Sequence, residues 1–183
     1  MPPQFQGTTI LMVRHNKQVA VCGDGQVSLQ STVLKGSARK VRRLYEDKII
    51  CGVAGSTADA FSIMEHFENR LTEYSGNLVR AAVELAKSWR TDKILRRLEA
   101  LMVTCDSRNM FLISGNGDVI EPDDNLLAIG SGGFYALAAA KALIRHSPSL
   151  SAGEIATESL KIASEICVYT NDKLTLEVLD SVK

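Results

Sequence analysis

The hydrophobic periodicity of this chain switches four times, and the order of the switches limits the fold more than any motif does. The first third carries short runs rich in branched apolar residues. Thr9 to Val13 and Gln18 to Cys22 are joined by the polar turn His15-Asn16-Lys17, and Val41 to Tyr45 and Lys48 to Ala54 are separated by Glu46-Asp47. Such runs are expected strands. The unbroken stretch Ile49-Ile50-Cys51-Gly52-Val53-Ala54 is expected to be buried on both faces. From Ser56 the spacing turns helical: Ala60, Ile63, Met64, Phe67 and Leu71 share a face behind a Ser56 or Thr57 cap. A second helix starting near Asn77 aligns Leu78, Ala82, Leu85 and Trp89. Strands return at Ala100 to Cys105 and Met110 to Ser114, and a hairpin turn at Gly115-Asn116-Gly117-Asp118 leads to Val119-Ile120. Leu126 to Ile129 then runs into a glycine-rich turn. Helices from Phe134 to about Arg145 and from Ser151 to about Val168 precede a last strand near Thr175 to Leu179. The second of these helices opens on the capping box Ser151-Ala152-Gly153-Glu154.

Strands that cluster, and do not alternate with helices, argue against a doubly wound parallel sheet. Two sheets packed face to face, each with a helical layer outside, accommodate the order, so the expected class is α+β. No repeat, low-complexity tract or linker divides the 183 residues. A single domain of that length buries on the order of 70% of its unfolded surface. Lys and Arg (21) balance Asp and Glu (21), so the overall charge points to neither nucleic acid nor an anionic membrane. The basic cluster Arg39-Lys40-Val41-Arg42-Arg43 lacks interleaved aromatics and reads by default as a solvated strand edge or a subunit contact. The start of the chain lacks the basic and apolar segments of a secretory signal. The apolar stretch Leu126 to Ile144 is broken by Gly130-Ser131-Gly132-Gly133 and Lys141, which makes it a poor membrane span. Cys22, Cys51, Cys105 and Cys167 are far apart among apolar neighbours, as buried thiols of a reducing cytoplasm would be. His15, His66 and His146 share no zinc-ligand spacing with them.

Candidate chemistry begins at Gln6-Gly7-Thr8-Thr9-Ile10. A hydroxyl needs a base within hydrogen-bond reach to act as a nucleophile. Scission of Gly7–Thr8 would give Thr8 its own base, a free α-amine with a pKa of about 7.7–8.0. Gly7, lacking a Cβ, permits the backbone angles and close approach that scission requires. The plain alternative is a loop entering a strand. Asp24, in Gly23-Asp24-Gly25, reads either as a turn residue or as the partner of Lys40. A lysine beside an active-site amine would lower the amine's pKa, and a carboxylate would hold that lysine charged and in place. Gly52-Val53-Ala54-Gly55 and Gly130-Ser131-Gly132-Gly133 each join a strand to a helix and could supply oxyanion-hole N–H groups or cradle a phosphate. Neither fits a nucleotide-binding pattern.

Taken together, these segments resemble the HslV (ClpQ) family of proteasome-like peptidase subunits. The likeness is carried by Gly7-Thr8-Thr9-Ile10, Gly23-Asp24-Gly25-Gln26-Val27-Ser28, the run Lys35 to Arg43, and Gly52 to Ala60. It continues through Ala82 to Lys87, Trp89-Arg90-Thr91-Asp92, Ser114 to Val119 and Ala128 to Gly133, and so spans nearly the whole chain after Gly7. The resemblance implies the four-layer αββα sandwich of N-terminal nucleophile hydrolases, with residues 1–7 a pro-segment and residues 8–183 one domain. It implies Thr8 as nucleophile and mature N-terminus, Lys40 tuning its electrostatics, and Asp24 holding Lys40. It further implies Gly52 N–H in the oxyanion hole and Ser131 as a proton relay. It also implies a monovalent cation, sodium or potassium, on the backbone carbonyls of Ser164, Cys167 and Thr170. The implied assembly is a homododecamer of two stacked hexameric rings in the cytoplasm, fed unfolded proteins by an HslU-like AAA+ ATPase hexamer. That ATPase, and not this chain, would bind the nucleotide. In the family the pro-segment can be a single methionine, so seven residues here require autolysis for their removal. Two other readings stay open: a catalytically silent, ring-forming scaffold of the same fold, and a small-molecule-binding module built on the glycine turns.

Overall fold

The computed structural model describes residues 5–182, so Met1 to Gln4 of the expected pro-segment, and Lys183, lie outside the described residues. Among the described residues twelve strands, four α-helices and one 3-10 turn (Leu95–Arg97) follow: β1 (Phe5–Gln6), β2 (Thr9–His15), β3 (Gln18–Gly23), β4 (Val27–Leu29), β5 (Thr32–Lys35), β6 (Val41–Leu44) and β7 (Ile49–Gly55) come first. Helices α1 (Thr57–Glu73) and α2 (Leu78–Thr91) lead to β8 (Ala100–Cys105), β9 (Met110–Ser114), β10 (Val119–Ile120) and β11 (Leu126–Gly130). The chain ends with α3 (Gly133–His146), α4 (Ala152–Ile166) and β12 (Thr175–Asp180).

Two antiparallel sheets, ordered β11-β2-β3-β12 and β10-β9-β8-β7-β6, form the centre. Strand alternation sorts their side chains into layers. On β2, Leu11 and Val13 face outward and pack with Ala136, Ala140, Ile155 and Leu160 of α3 and α4. Ile10 and Met12, on the other face, meet Ile50, Val103 and Met110 of the second sheet. The outer face of that sheet, including Ile49, Cys51 and Met102, carries Ile63, Phe67, Leu85 and Trp89 of α1 and α2. The result is the expected αββα sandwich. Ile50 and Cys51 of β7 are both fully buried because each face of the strand has a layer of its own. Burial of a side chain such as Ile50 contributes about 1.5–3 kcal/mol.

Caps fix the helix starts as the sequence suggests. Ser56 accepts from Asp59 N, Asn77 from Arg80 N, and Ser151 with Glu154 completes the capping box. The expected strand Val41 to Tyr45 ends early, at Leu44, because Tyr45, Glu46 and Asp47 all take left-handed φ values of 47°, 54° and 61°. Helix α4 stops at Ile166, before Val168, where Cys167 turns extended. The small sheet β1-β4-β5 is unexpected from sequence. All four residues of β5 are exposed, so the strand leaves no buried-face alternation to read. The four cysteines are buried and unpaired, and burial pushes Cys22 and Cys105 up to about 12, as suits packing residues. Among the described residues no helix is long and apolar enough to cross a membrane.

Candidate active site

The register of the β2–β3 hairpin, with Ile10 opposite Gly23, brings the residue after β3 beside the residue at the start of β2. Asp24 N therefore donates to Thr9 O at 3.1 Å, while Thr9 N returns a bond to Asp24 Oδ1 at 2.8 Å. Lys40, immediately before β6, reaches into the same place: its Nζ lies 2.9 Å from Asp24 Oδ1. The side chains of Lys40 and Asp24 are 7% and 0% exposed, so the basic cluster is not uniformly a solvated edge. Arg43 from the same cluster is likewise engaged, with Glu177 and Val178 O of β12. Besides Asp24, the Lys40 ammonium donates to Gln26 O and Gly7 O, which uses its three N–H groups. Burial pulls the Lys40 pKa below its ordinary 10.5, and the Asp24 carboxylate works against that pull. Gln26 N at 2.9 Å and Asn171 N at 3.3 Å complete the donors around Asp24, on Oδ2.

Thr8 is buried, and its Oγ1 donates to Gly7 O at 2.9 Å. Gly7 has φ +111°. The oxygen that Thr8 touches is therefore the oxygen that Lys40 also touches, that of the Gly7–Thr8 peptide bond. Across from them, β11 ends at Gly130, paired with Thr9. Gly130 has φ +88°, and a Cβ there would stand 1.8 Å from Thr8 O, so no side chain is admissible at this position. The turn that follows donates Ser131 N to Thr8 O at 2.9 Å, and Gly132 N to Thr9 Oγ1 at 2.8 Å. Ser131 itself is exposed.

Gly52 lies on β7 opposite Val41, next to Lys40, whose carbonyl accepts from Val53 N at 3.3 Å. Its open Cα rests on the Ile10 side chain, two residues along from Thr8. Thr8, Asp24 and Lys40 thus form one contact network; Ser131 joins it through backbone bonds and Gly52 as a strand neighbour. A cavity of about 500 Å³ opens in front of Thr8 and Lys40, walled by Val53, Ala60, Phe61 and Met64. Arg42 at its rim lies 5.0 Å over the Phe61 ring.

Ser164, Cys167 and Thr170 surround the end of α4, where the last carbonyls of a helix lack intrahelical partners and carry the negative end of its dipole. Cys167 O accepts from Thr170 N at 3.0 Å and keeps a second lone pair. Among the described residues no cluster of three or more His, Cys, Asp or Glu could hold a metal. What the turn offers is carbonyl oxygen, a donor suited to hard cations.

Sequence reasoning missed three participants, Thr9, Gln26 and Asn171, and it singled out Thr170 for its carbonyl but not for its hydroxyl. Thr9 Oγ1 pairs with Thr170 Oγ1 at 2.7 Å, bridging the two sides of the site. The Thr9–Asp24 bonds could have been found from the hairpin register. Thr170-Asn171 sits in an ordinary polar stretch after α4, and nothing in its composition distinguishes it.

The chain matches the proteasome-subunit family over residues 4–179. Among solved structures, eukaryotic HslV from Trypanosoma brucei superposes with a TM-score of 0.88 at 48% identity, over 94% of this chain and 99% of that one. The BPH protein of Thiobacillus denitrificans, solved in complex with epoxomicin, shares the fold, with a TM-score of 0.72 at 19% identity over 96% of this chain and 100% of that one. Both the layered architecture and the sequence from the first strand to the last are accounted for in this way: the chain belongs to the proteasome-subunit family, as an HslV-type proteasome-like peptidase subunit.

Proposed function

We propose that this chain is a threonine endopeptidase made as a self-processing precursor, and that it is the proteolytic ring subunit of an ATP-dependent protease. The observation that carries this reading is the 2.9 Å contact of Thr8 Oγ1 with Gly7 O, with Lys40 Nζ on the same oxygen. In processing, Thr8 Oγ1 bonds to the Gly7 carbonyl carbon while Lys40 balances the charge growing on the oxygen. The Gly7–Thr8 C–N bond then breaks, and the hydroxyl proton ends on the Thr8 nitrogen. Water hydrolyses the resulting ester and releases residues 1–7, leaving residues 8–183 with a free amine.

On a substrate the same oxygen attacks a peptide carbonyl, and the amine, through a water, takes the proton. Gly52 N–H stabilises the oxyanion; a donor of this kind is worth about 2.7–4 kcal/mol in the transition state. Ser131 relays the proton, and Asp24 keeps Lys40 charged beside the amine. The carbonyls of Ser164, Cys167 and Thr170 would hold sodium or potassium, whose charge would steady the turn bearing Thr170. Exposed Phe134 (83%) and Val168 (79%) suit burial between subunits of a ring. The ring is a dodecamer docked by an HslU-like AAA+ ATPase, which supplies unfolded protein.

Intact mass and peptide hydrolysis, with and without the ATPase, test the reading. The wild-type chain is expected to begin at Thr8 and to cleave peptide; Thr8→Ala is expected to keep residues 1–7 and to cleave nothing. Undiminished turnover in Thr8→Ala would falsify the assignment. Phe5–Gln6 pairs with Ser28 and Leu29 of β4, so a chain that kept this strand would be the silent scaffold instead.

A further inference from the structure

Asn171 has no part in the mechanism above, yet it ties together the two loops that carry Asp24 and Lys40. Its Oδ1 accepts from Gly25 N at 3.1 Å and from Lys173 N at 3.2 Å. Its Nδ2 donates to Gly36 O at 2.9 Å, and its backbone N donates to Asp24 Oδ2 at 3.3 Å. Gly25 directly follows Asp24, and Gly36 begins the loop that runs from β5 to Lys40. One amide side chain therefore bridges the acid's loop and the lysine's loop. The two are pressed close at this point: a Cβ on Gly25 would lie 2.5 Å from Gly36 O and 3.1 Å from Lys173 O.

The loop needs such an anchor. Residues 37–40 have no regular secondary structure, and Ser37 and Arg39 are exposed. Apart from the bonds of the Lys40 ammonium itself, its tie to the acid's loop is backbone to backbone, from Ala38 N to Gly25 O at 2.9 Å. Segments with few ladder bonds open locally at low free-energy cost, so the place of the Lys40 ammonium depends on what pins its loop.

We propose that Asn171 is a positioning residue: by fastening Gly36 to Gly25, it holds the Lys40 ammonium at the separation from Asp24 and Thr8 that catalysis requires. This rests on the threonine-peptidase reading of the site. Once residues 1–7 have left, a positive charge close to the Thr8 amine opposes protonation of that amine and keeps it available as a base. A Lys40 that wanders lets the amine hold its proton to higher pH. The charged groups around Thr8 are Lys40 and Asp24 in its contact network, with Lys35, Arg39 and Arg42 lining the same cavity.

The test compares full-length wild type, Asn171→Ala, Asn171→Ser and Thr8→Ala by intact mass and by hydrolysis of a fluorogenic peptide across the acid limb of the pH profile. Asn171→Ala is expected to lower kcat by about tenfold or more with KM within about twofold, the pattern of a lost transition-state interaction. Its acid limb should move up by about half a pH unit or more, because the amine has lost its like-charged neighbour. Slowed removal of residues 1–7 would support the proposal too, since Lys40 also holds the Gly7 carbonyl. Asn171→Ser keeps a short acceptor for Gly25 N but cannot reach Gly36 O, so it decides the matter if Asn171→Ala fails to fold. An unmoved acid limb in a folded, processed variant overturns the proposal, whatever happens to kcat. Activity surviving in Thr8→Ala sinks the peptidase reading itself; a dead Thr8→Ala beside an unaffected Asn171 variant sinks this proposal alone.

Discussion

Replacing Asp24 by Asn removes one negative charge from a site buried away from solvent, where the Asp24 side chain is 0% exposed. The carboxylate is fully buried and takes four donors: Thr9 N and Lys40 Nζ on Oδ1, Gln26 N and Asn171 N on Oδ2. An amide has one oxygen, so whichever way it turns, its NH2 group faces two donors. Lys40, 7% exposed, is left without its counter-charge. Removing one partner of a buried ion pair costs about 3–5 kcal/mol. In a chain of this length each kcal/mol moves Tm by about 2–4 °C, so the expected drop is about 6–20 °C. The pH dependence has a definite sign. Lys40 already sits below 10.5 because of burial, with Asp24 opposing that shift. Without Asp24 it falls further, and the folded variant binds fewer protons at Lys40 than the unfolded chain does. Stability rises with pH wherever the unfolded state holds more protons. The unfolded lysine is common to both proteins, so the gap should be widest at neutral pH and close as pH climbs to the wild-type Lys40 value, below 10.5, where the wild-type lysine also loses its proton. Thermal unfolding of both proteins, at one protein concentration and one assembly state, measures this. A Tm within about 2 °C of wild type, with a gap indifferent to pH, would mean that the pair is worth no more than a surface one.

Gly130→Ala is expected to abolish both processing and peptide cleavage, because its Cβ would fall 1.8 Å from Thr8 O and drive the start of β2 out of place. Intact mass and turnover read the result, and a normally processed, active Gly130→Ala would contradict the close approach. Exchange of sodium or potassium for a bulky organic cation at constant ionic strength is expected to lower Tm and turnover together. A response of neither removes the carbonyl site from the mechanism.

How much of this was legible in the sequence depends on where each signal resides. Core strands and helices were readable because burial imposes a period: the bounds of β8 and β9 agree to the residue, and each of the helix caps Ser56, Asn77 and Ser151 sits beside its expected apolar stripe. The β4–β5 hairpin was not, since exposed Val33 and Leu34 break the rule that apolar strand residues have a core to face. Thr8, Asp24 and Lys40 were recognisable through their flanking segments and the family these resemble, although Lys40 alone looks like any surface charge. Asn171 was out of reach. Its side chain bonds to backbone groups of Gly25 and Gly36, and its own backbone N donates to the Asp24 carboxylate; backbone participants leave no trace in residue identity.

Under the proposed function, the Lys40 ammonium would link the precursor to the mature enzyme. Its three donors are used on Asp24, Gln26 O and Gly7 O, so before processing it is saturated and has nothing to offer a substrate. Under the proposed route, release of residues 1–7 takes away the third acceptor and leaves a buried charge one bond short, next to the new amine. An unmatched donor on a buried charge is costly, and Lys40 and Thr8 line one cavity, so a carbonyl entering it could take the freed donor. Departure of the pro-segment would thus supply the catalytic base and, in the same step, turn Lys40 from an anchor of its own chain into an electrostatic partner for the next one. Asp24 makes this possible by holding the lysine in place through the change, and its own four donors all come from groups that processing leaves behind.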